Sequence, residues 1–103
     1  MRLDHKPHFV YLVGNKELNH YKIGYSINPR HRLGAIQVPF EIKLLAAVPC
    51  ENRFIALATE QILHSRFGKH RTRGEWFKNT PLGKFVDESE TAIAEAKKIT
   101  GFA

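Results

Sequence analysis

Glu60 is the residue whose chemistry is hardest to explain by packing alone. On a helical wheel it shares a stripe with His64 and with three apolar side chains, those of Leu57, Leu63 and Phe67. A carboxylate flanked by apolar side chains is costly unless it is paired or holds a cation. A surface pair with Arg66 or with a lysine is the ordinary alternative to a bound metal ion, and the residue types leave these open.

A tyrosine and a lysine in two neighbouring predicted strands form a second candidate group. Tyr11 lies at the centre of the first strand, and Lys22 interrupts an apolar run in the second. In a hairpin the two side chains would lie on one face as cross-strand neighbours. A partly desolvated lysine beside a tyrosine favours the phenolate, which is one way to obtain a general base, although a buried tyrosine is more often simply packed.

Basic side chains form the third candidate group. Arg32 lies in a short predicted helix with Arg30, and such arginines form either a solvated face or a clamp for phosphate oxygens. A second basic stretch follows the long predicted helix and contains Lys69, Arg71 and Arg73. The chain has 16 Lys and Arg against 10 Asp and Glu, a formal net charge of +6, which suits a polyanionic partner or a surface charged for solubility.

Three strands are predicted to position Tyr11 and Lys22. β-Branched and aromatic runs predict the first two strands at residues 9–13 and 20–25, and the polar segment between them predicts a hairpin. A mostly apolar run predicts a third strand at residues 41–48. The predicted fold class is therefore α/β (α+β), a small layered structure built from the β-hairpin, the third strand and helices.

Helices are predicted to position the arginines and Glu60. Asn28 and Pro29 have the types preferred at an N-cap and a first helical position, so a short helix is predicted after them. The clearest periodicity predicts a helix at residues 51–67, and an added C-terminal helix is predicted at about residues 81–100.

Length and composition limit the class of protein. A chain of 103 residues is expected to form one domain, residues 1–103, with its core at about residues 8–78. No apolar run approaches the roughly 20 residues of a membrane-spanning helix, and the N-terminus has no pattern of a secretory signal. The single cysteine, Cys50, excludes an internal disulfide framework and a Cys-rich zinc site. These features predict a soluble, cytoplasmic domain with no membrane partner.

Taken together, these positions resemble the GIY-YIG endonuclease superfamily. Tyr11 is similar to the tyrosine of the first family motif, and residues 22–24 (Lys-Ile-Gly) are similar to the second, with lysine where the family has tyrosine. Arg32 and Glu60 match the helix arginine and the metal-binding glutamate of the family. The resemblance extends over residues 8–78 and looks like the bacteriophage-type branch with the KIG form, which includes the domains called meiotically up-regulated gene products.

The resemblance implies a GIY-YIG-like three-stranded sheet and Mg²⁺-dependent (or Mn²⁺-dependent) hydrolysis of phosphodiester bonds. DNA is the expected nucleic-acid partner, and the sequence leaves RNA open. It implies that Glu60 holds the metal ion, that Arg32 stabilises the charge developing on phosphorus, and that Tyr11 is the general base. Lys22 would lower the pKa of Tyr11 or contact phosphate, and His64 would orient water or the leaving group. The nucleic-acid backbone would be bound by exposed basic side chains, those of Arg30, Lys69, Arg71 and Arg73. A lone site cuts one strand, so double-strand cleavage would need a homodimer or two successive nicks.

Two alternatives compete with a nuclease. A nucleic-acid-binding module could keep the same fold while cleaving weakly or not at all, although a carboxylate near phosphate without a metal ion repels its own ligand. A protein-interaction or inhibitor factor could instead dock through the acidic segment Asp87 to Glu95 of the C-terminal helix.

Overall fold

The protein forms one antiparallel sheet with helices packed against it. The computed structural model describes residues 7–101, and in that range the expected α+β class is confirmed. The strands are β1 (His8–Asn15), β2 (His20–Ser26), β3 (Lys43–Cys50), β4 (Arg71–Arg73) and β5 (Trp76–Phe77). The helices are α1 (Pro29–Ala35), α2 (Arg53–Arg66) and α3 (Leu82–Thr100), and a 3₁₀ turn at Gly68–His70 follows α2.

The sheet has five strands in the order β3-β1-β2-β5-β4, so the expected number of three is wrong. The hairpin of β1 and β2 is present as predicted, and the third strand is present two residues later than predicted. The additional pair, β4 and β5, extends the sheet beyond β2. Their lengths of three and two residues leave no periodic pattern, and the arginines of β4 are typical of an exposed edge strand as much as of a loop.

The core lies between one face of the sheet and the two long helices. Val10 and Leu12 of β1 and Ile23 of β2 are fully buried against apolar side chains of α2 and α3, which include Ile55, Leu63 and Phe85. Successive residues of a strand point to opposite faces. Tyr11, between Val10 and Leu12, therefore lies on the other face of the sheet, and it too is buried.

Capping residues account for where α1 and α2 begin and where α3 ends. Asn28 and Asn52 cap α1 and α2, and their side-chain oxygens accept hydrogen bonds from the backbone N–H groups of His31 and Ile55. The last helix ends at Gly101, whose positive φ of 80° suits a glycine. A search of residues 7–101 finds no helix with the length and apolarity needed to cross a membrane.

Candidate functional site

The site is organised around Gly24, which lies opposite Tyr11 in the pairing of β1 with β2. The Tyr11 side chain lies so close over β2 that a Cβ atom at residue 24 would be 2.5 Å from its hydroxyl oxygen and 2.6 Å from its Cζ atom. Such distances are far below van der Waals contact, so this position of the tyrosine requires glycine at residue 24.

Tyr11 is 1% exposed, and burial raises the pKa of its hydroxyl above the ordinary value. The guanidinium of Arg32 hydrogen-bonds to this hydroxyl and opposes the effect, while the carboxylates of Glu75 and Glu60 raise the pKa further. Lys22 lies diagonally across from Tyr11 and was expected to lower this pKa. The cation that contacts the hydroxyl is Arg32 instead, and its influence is outweighed by burial.

The short helix α1 brings Arg32 to the tyrosine. Pro29 presets the first helical backbone angle, and Asn28 caps the helix with a side-chain hydrogen bond to the His31 N–H at 3.2 Å. Arg32 follows in the same helix; the residue as a whole is exposed, and its guanidinium reaches the Tyr11 hydroxyl. A guanidinium so placed is accessible to a phosphate group.

Lys22 of β2 and Glu75, the residue before β5, form an ion pair. The ammonium group of Lys22 donates a hydrogen bond to a carboxylate oxygen of Glu75, and the two side chains are 14% and 51% exposed. This bond is the main reason that the pKa of Glu75 lies below its ordinary value, and His64 and Arg32 also contribute. Pairing of Lys22 with Trp76 across β2 and β5 holds Glu75 in place, because Glu75 directly precedes Trp76.

Glu60 on α2 completes the group of charges. Burial and, to a smaller degree, the carboxylate of Glu75 raise its pKa from 4.5 to about 7, and Lys22 only partly opposes them. The alternative in which Glu60 pairs with Arg66 is wrong, because Arg66 turns away to α3 and binds Glu88 at 3.2 Å and Glu95 at 2.5 Å. Glu60 is thus a half-buried carboxylate whose charge is only partly compensated, as expected for a cation ligand.

His64 on α2 contacts β2 at Ile23, the residue that follows the two residues of β2 paired with β5. Its Nε2 atom lies 2.8 Å from the carbonyl oxygen of Ile23, and a carbonyl only accepts, so Nε2 carries the proton and donates. The other ring nitrogen, Nδ1, is 3.4 Å from a guanidinium nitrogen of Arg71, and the ring contacts Phe77 edge-on at 5.0 Å. These contacts hold the His64 ring against β2 and Phe77, and its expected role in orienting water or a leaving group stays a prediction.

The predicted basic residues do not all lie at the same place. Arg71 lies beside His64 and over the ring of Phe77, 5.8 Å from its centroid, so it adjoins the site. Arg30 lines a groove between α1 and β3, and Arg73 lines a small pocket next to Trp76. Lys69 is exposed in the 3₁₀ turn. The structure therefore associates Arg71 directly with the site and spreads the other three over its surroundings.

Glu75 is a site residue that the sequence interpretation missed. The residues that follow it, Trp76 and Phe77, are typical of a core anchor and give no indication of a charged site. The sequence signal is an acidic residue that is separated from the basic stretch only by Gly74. In the structure this glycine has a positive φ of 58°. The structure places it close enough to influence the pKa of Tyr11 and of Glu60.

The arrangement offers a divalent cation few protein ligands. Among residues 7–101 there is no group of three or more His, Cys, Asp or Glu side chains that could hold a metal ion. Mg²⁺ suits such a site, because it keeps several waters and binds through one or two carboxylates plus substrate phosphates. Glu60 is a suitable ligand for such an ion, because its carboxylate oxygens are hard donors. A cation beside this half-buried group would stabilise its negative charge.

The model of the T5orf172 domain family matches residues 8–100, so the chain belongs to this family. The resemblance to the GIY-YIG superfamily is therefore wrong as an assignment of family. It rested on a few scattered positions, with lysine in place of the second motif tyrosine, and it implied a sheet two strands smaller than the one observed. No curated protein and no solved structure matches the chain significantly.

Substituting Gly24→Ala is expected to destabilise the fold by about 2 kcal/mol, because the new methyl group would collide with the Tyr11 ring. Gly34→Ala is the matched control: residue 34 lies in α1 with open space around it, so alanine there should leave stability unchanged or raise it slightly. Urea unfolding followed by circular dichroism measures both. Equal stabilities of the two variants would show that the tyrosine does not depend on glycine.

Glu60→Gln is expected to stabilise the metal-free protein at pH 8 but not at pH 4. The folded-state pKa of Glu60 is raised, so its contribution to stability is full below about 4.5 and is lost as pH rises through about 7. Glutamine cannot ionise, and we expect a gain on the order of 1 kcal/mol at pH 8, since solvent screens part of the effect. Urea unfolding in EDTA measures it, with exposed Glu90→Gln on α3 as control. A gain of the same size at both pH values would contradict the raised pKa.

Proposed function

From the geometry of this T5orf172 family member, we propose that the protein is a metal-dependent endonuclease that hydrolyses phosphodiester bonds, with DNA as substrate. The observation that supports this function is the convergence around Gly24 of a tyrosine hydroxyl, an arginine and a half-buried glutamate, those of Tyr11, Arg32 and Glu60. A site that only bound phosphate would gain from the arginine and lose from the glutamate. The combination suits a reaction in which a cation joins the carboxylate to phosphate.

Each side chain has a role that follows from its position. Glu60 would hold Mg²⁺ or Mn²⁺, and the bound ion would polarise a phosphate oxygen and activate a water molecule. Arg32, exposed and preset by α1, would stabilise the negative charge that develops on the phosphate oxygens. Tyr11, whose hydroxyl is neutral in the free protein, would first have to release its own proton to solvent. The water oxygen would then form the new bond to phosphorus, its proton would pass to the Tyr11 phenolate oxygen, and the bond to the leaving sugar oxygen would break. The leaving oxygen takes its proton from solvent.

Lys22 and Glu75 would control how phosphate enters. In the free protein the Lys22 ammonium is engaged by Glu75. A phosphate oxygen would compete with that carboxylate for the lysine, since both are charge-assisted acceptors. Glu75 thus keeps the lysine in position before substrate arrives. Arg71, next to His64 at the border of the site, would contact the neighbouring backbone.

A binding module that does not cleave is the second candidate, and the raised pKa of Tyr11 favours it, because a neutral phenol is a weak base. A docking role for the acidic segment of α3 has less support. Two of its carboxylates, those of Glu88 and Glu95, bind Arg66 of α2 and so hold two helices of the same chain together.

Nicking of supercoiled plasmid in Mg²⁺ tests the proposal. The wild type should nick, EDTA should abolish nicking, and Glu60→Gln should lower the rate by at least about 100-fold, more than the loss of an outer contact usually costs. Exposed Glu90→Gln on α3 makes the same chemical change away from the site and should nick as the wild type does.

Three outcomes would count against cleavage at this site. Unchanged nicking by Glu60→Gln would place the reaction elsewhere, and nicking that persists in EDTA would exclude the metal dependence. Intact plasmid that is nevertheless retarded on a gel, with retardation lost at higher salt, would establish the binding module instead.

A further inference from the structure

A small apolar pocket adjoins the site on the side of β4 and β5. Its volume is about 190 Å³, below the range of about 300–1,000 Å³ that is typical of pockets for drug-sized ligands. It lies between the segment that joins α1 to β3 and the outer strands of the sheet, and it is lined by His20, Val38, Phe40, Thr72, Arg73 and Trp76. None of these six residues has a role in the reaction proposed above.

Three rings form the wall of this pocket. The ring of Phe40 is 5.7 Å from that of Trp76 and 5.5 Å from that of His20, and Trp76 meets both of the others edge-to-face. All three residues are only partly buried. Edge-to-face contacts leave ring faces available, and a further flat ring can stack against such a face.

The pocket lies one strand away from the proposed phosphate contacts. Trp76 is the direct partner of Lys22 in the pairing of β2 with β5, and neighbouring strands are about 4.8 Å apart. Glu75, which engages Lys22, directly precedes Trp76 in the chain. A group held in the pocket would thus be next to a phosphate held at the site.

We propose that the pocket binds one unpaired nucleobase of the substrate strand, next to the phosphate at the site. This inference rests on the proposed function and specifies its substrate as nucleic acid with an unpaired or flipped-out nucleotide. Stacking of a base on aromatic side chains is independent of sequence, because every base has a flat π face.

The charge and the polar groups at the pocket favour a nucleotide over an apolar peptide side chain. Arg73 is exposed at the pocket and faces Trp76 in the pairing of β4 with β5, so its guanidinium can contact the phosphate of the same nucleotide. His20 has a buried ring nitrogen, Nδ1, without a hydrogen-bond partner within residues 7–101. An N–H or amino group of a base is a suitable partner for that nitrogen once the ring adjusts.

Fluorescence of Trp76 reports on the pocket directly, because the chain has a single tryptophan. The protein used is the full chain with Glu60→Gln, so that the probe is not cleaved. The probes are a single-stranded DNA oligonucleotide, an abasic oligonucleotide of the same length and charge, and a fully paired hairpin. We expect saturable quenching by the first probe, with the abasic strand binding at least about fivefold more weakly and causing little quenching.

Two variants test whether the pocket is the part of the protein that binds the base. Phe40→Ala should weaken binding of the base-containing strand by about fivefold or more and leave binding of the abasic strand unchanged. Phe54→Ala on α2 removes an aromatic ring that is 46% exposed outside the pocket and should change neither. Equal binding and equal quenching by the base-containing and abasic strands would overturn the proposal without relying on any variant. Stronger quenching by the paired hairpin than by the single strand would also overturn it.

Failure of this inference differs from failure of the proposed function. If plasmid is nicked in a Glu60-dependent way but quenching does not depend on bases, the pocket is not a base site and the nuclease stands. If base-dependent quenching occurs while plasmid remains intact, the pocket stands as part of a binding module.

Discussion

The close approach of the Tyr11 ring to the backbone of Gly24 is the steric constraint on which the site depends. β1 is an inner strand with both faces buried, so its side chains are fixed by the packing on either side. The absence of a side chain at residue 24 lets the ring lie over β2 and brings its hydroxyl to Arg32. The electrostatics of the site then follow from which charged groups surround that hydroxyl.

Opposite charges in this region partly neutralise one another, but the negative charge of Glu60 is only partly compensated. Lys22 is engaged by Glu75, and Arg32 donates to the neutral hydroxyl of Tyr11. Glu60 is left half-buried near a second carboxylate, which is why its pKa rises to about 7. Arg66, which could have paired with it, instead joins α2 to α3. A divalent cation would relieve this imbalance and would also lower the pKa of the tyrosine.

The local parts of this arrangement could be predicted from the sequence, because they depend on neighbours in the chain. The β1–β2 hairpin follows from two β-branched and aromatic runs joined by a polar segment, and α1 follows from Asn28 and Pro29. The role of Glu75 could not be predicted, because its bond to Lys22 joins residues 53 positions apart and depends on the two-residue strand β5. The site residues Tyr11 and Arg32 were identified by residue type, but the resemblance that suggested them assigned the wrong family.

Binding of a divalent cation at Glu60 is the claim from which the proposed chemistry follows. Substoichiometric Mn²⁺ added to ¹⁵N-labelled protein broadens the backbone signals of residues near the bound ion, and it does so even when binding is weak. Broadening centred on Glu60, Gly24 and Glu75, and lost in Glu60→Gln, is the predicted result. Broadening centred on the exposed carboxylates of α3, or broadening that persists unchanged in Glu60→Gln, would contradict it.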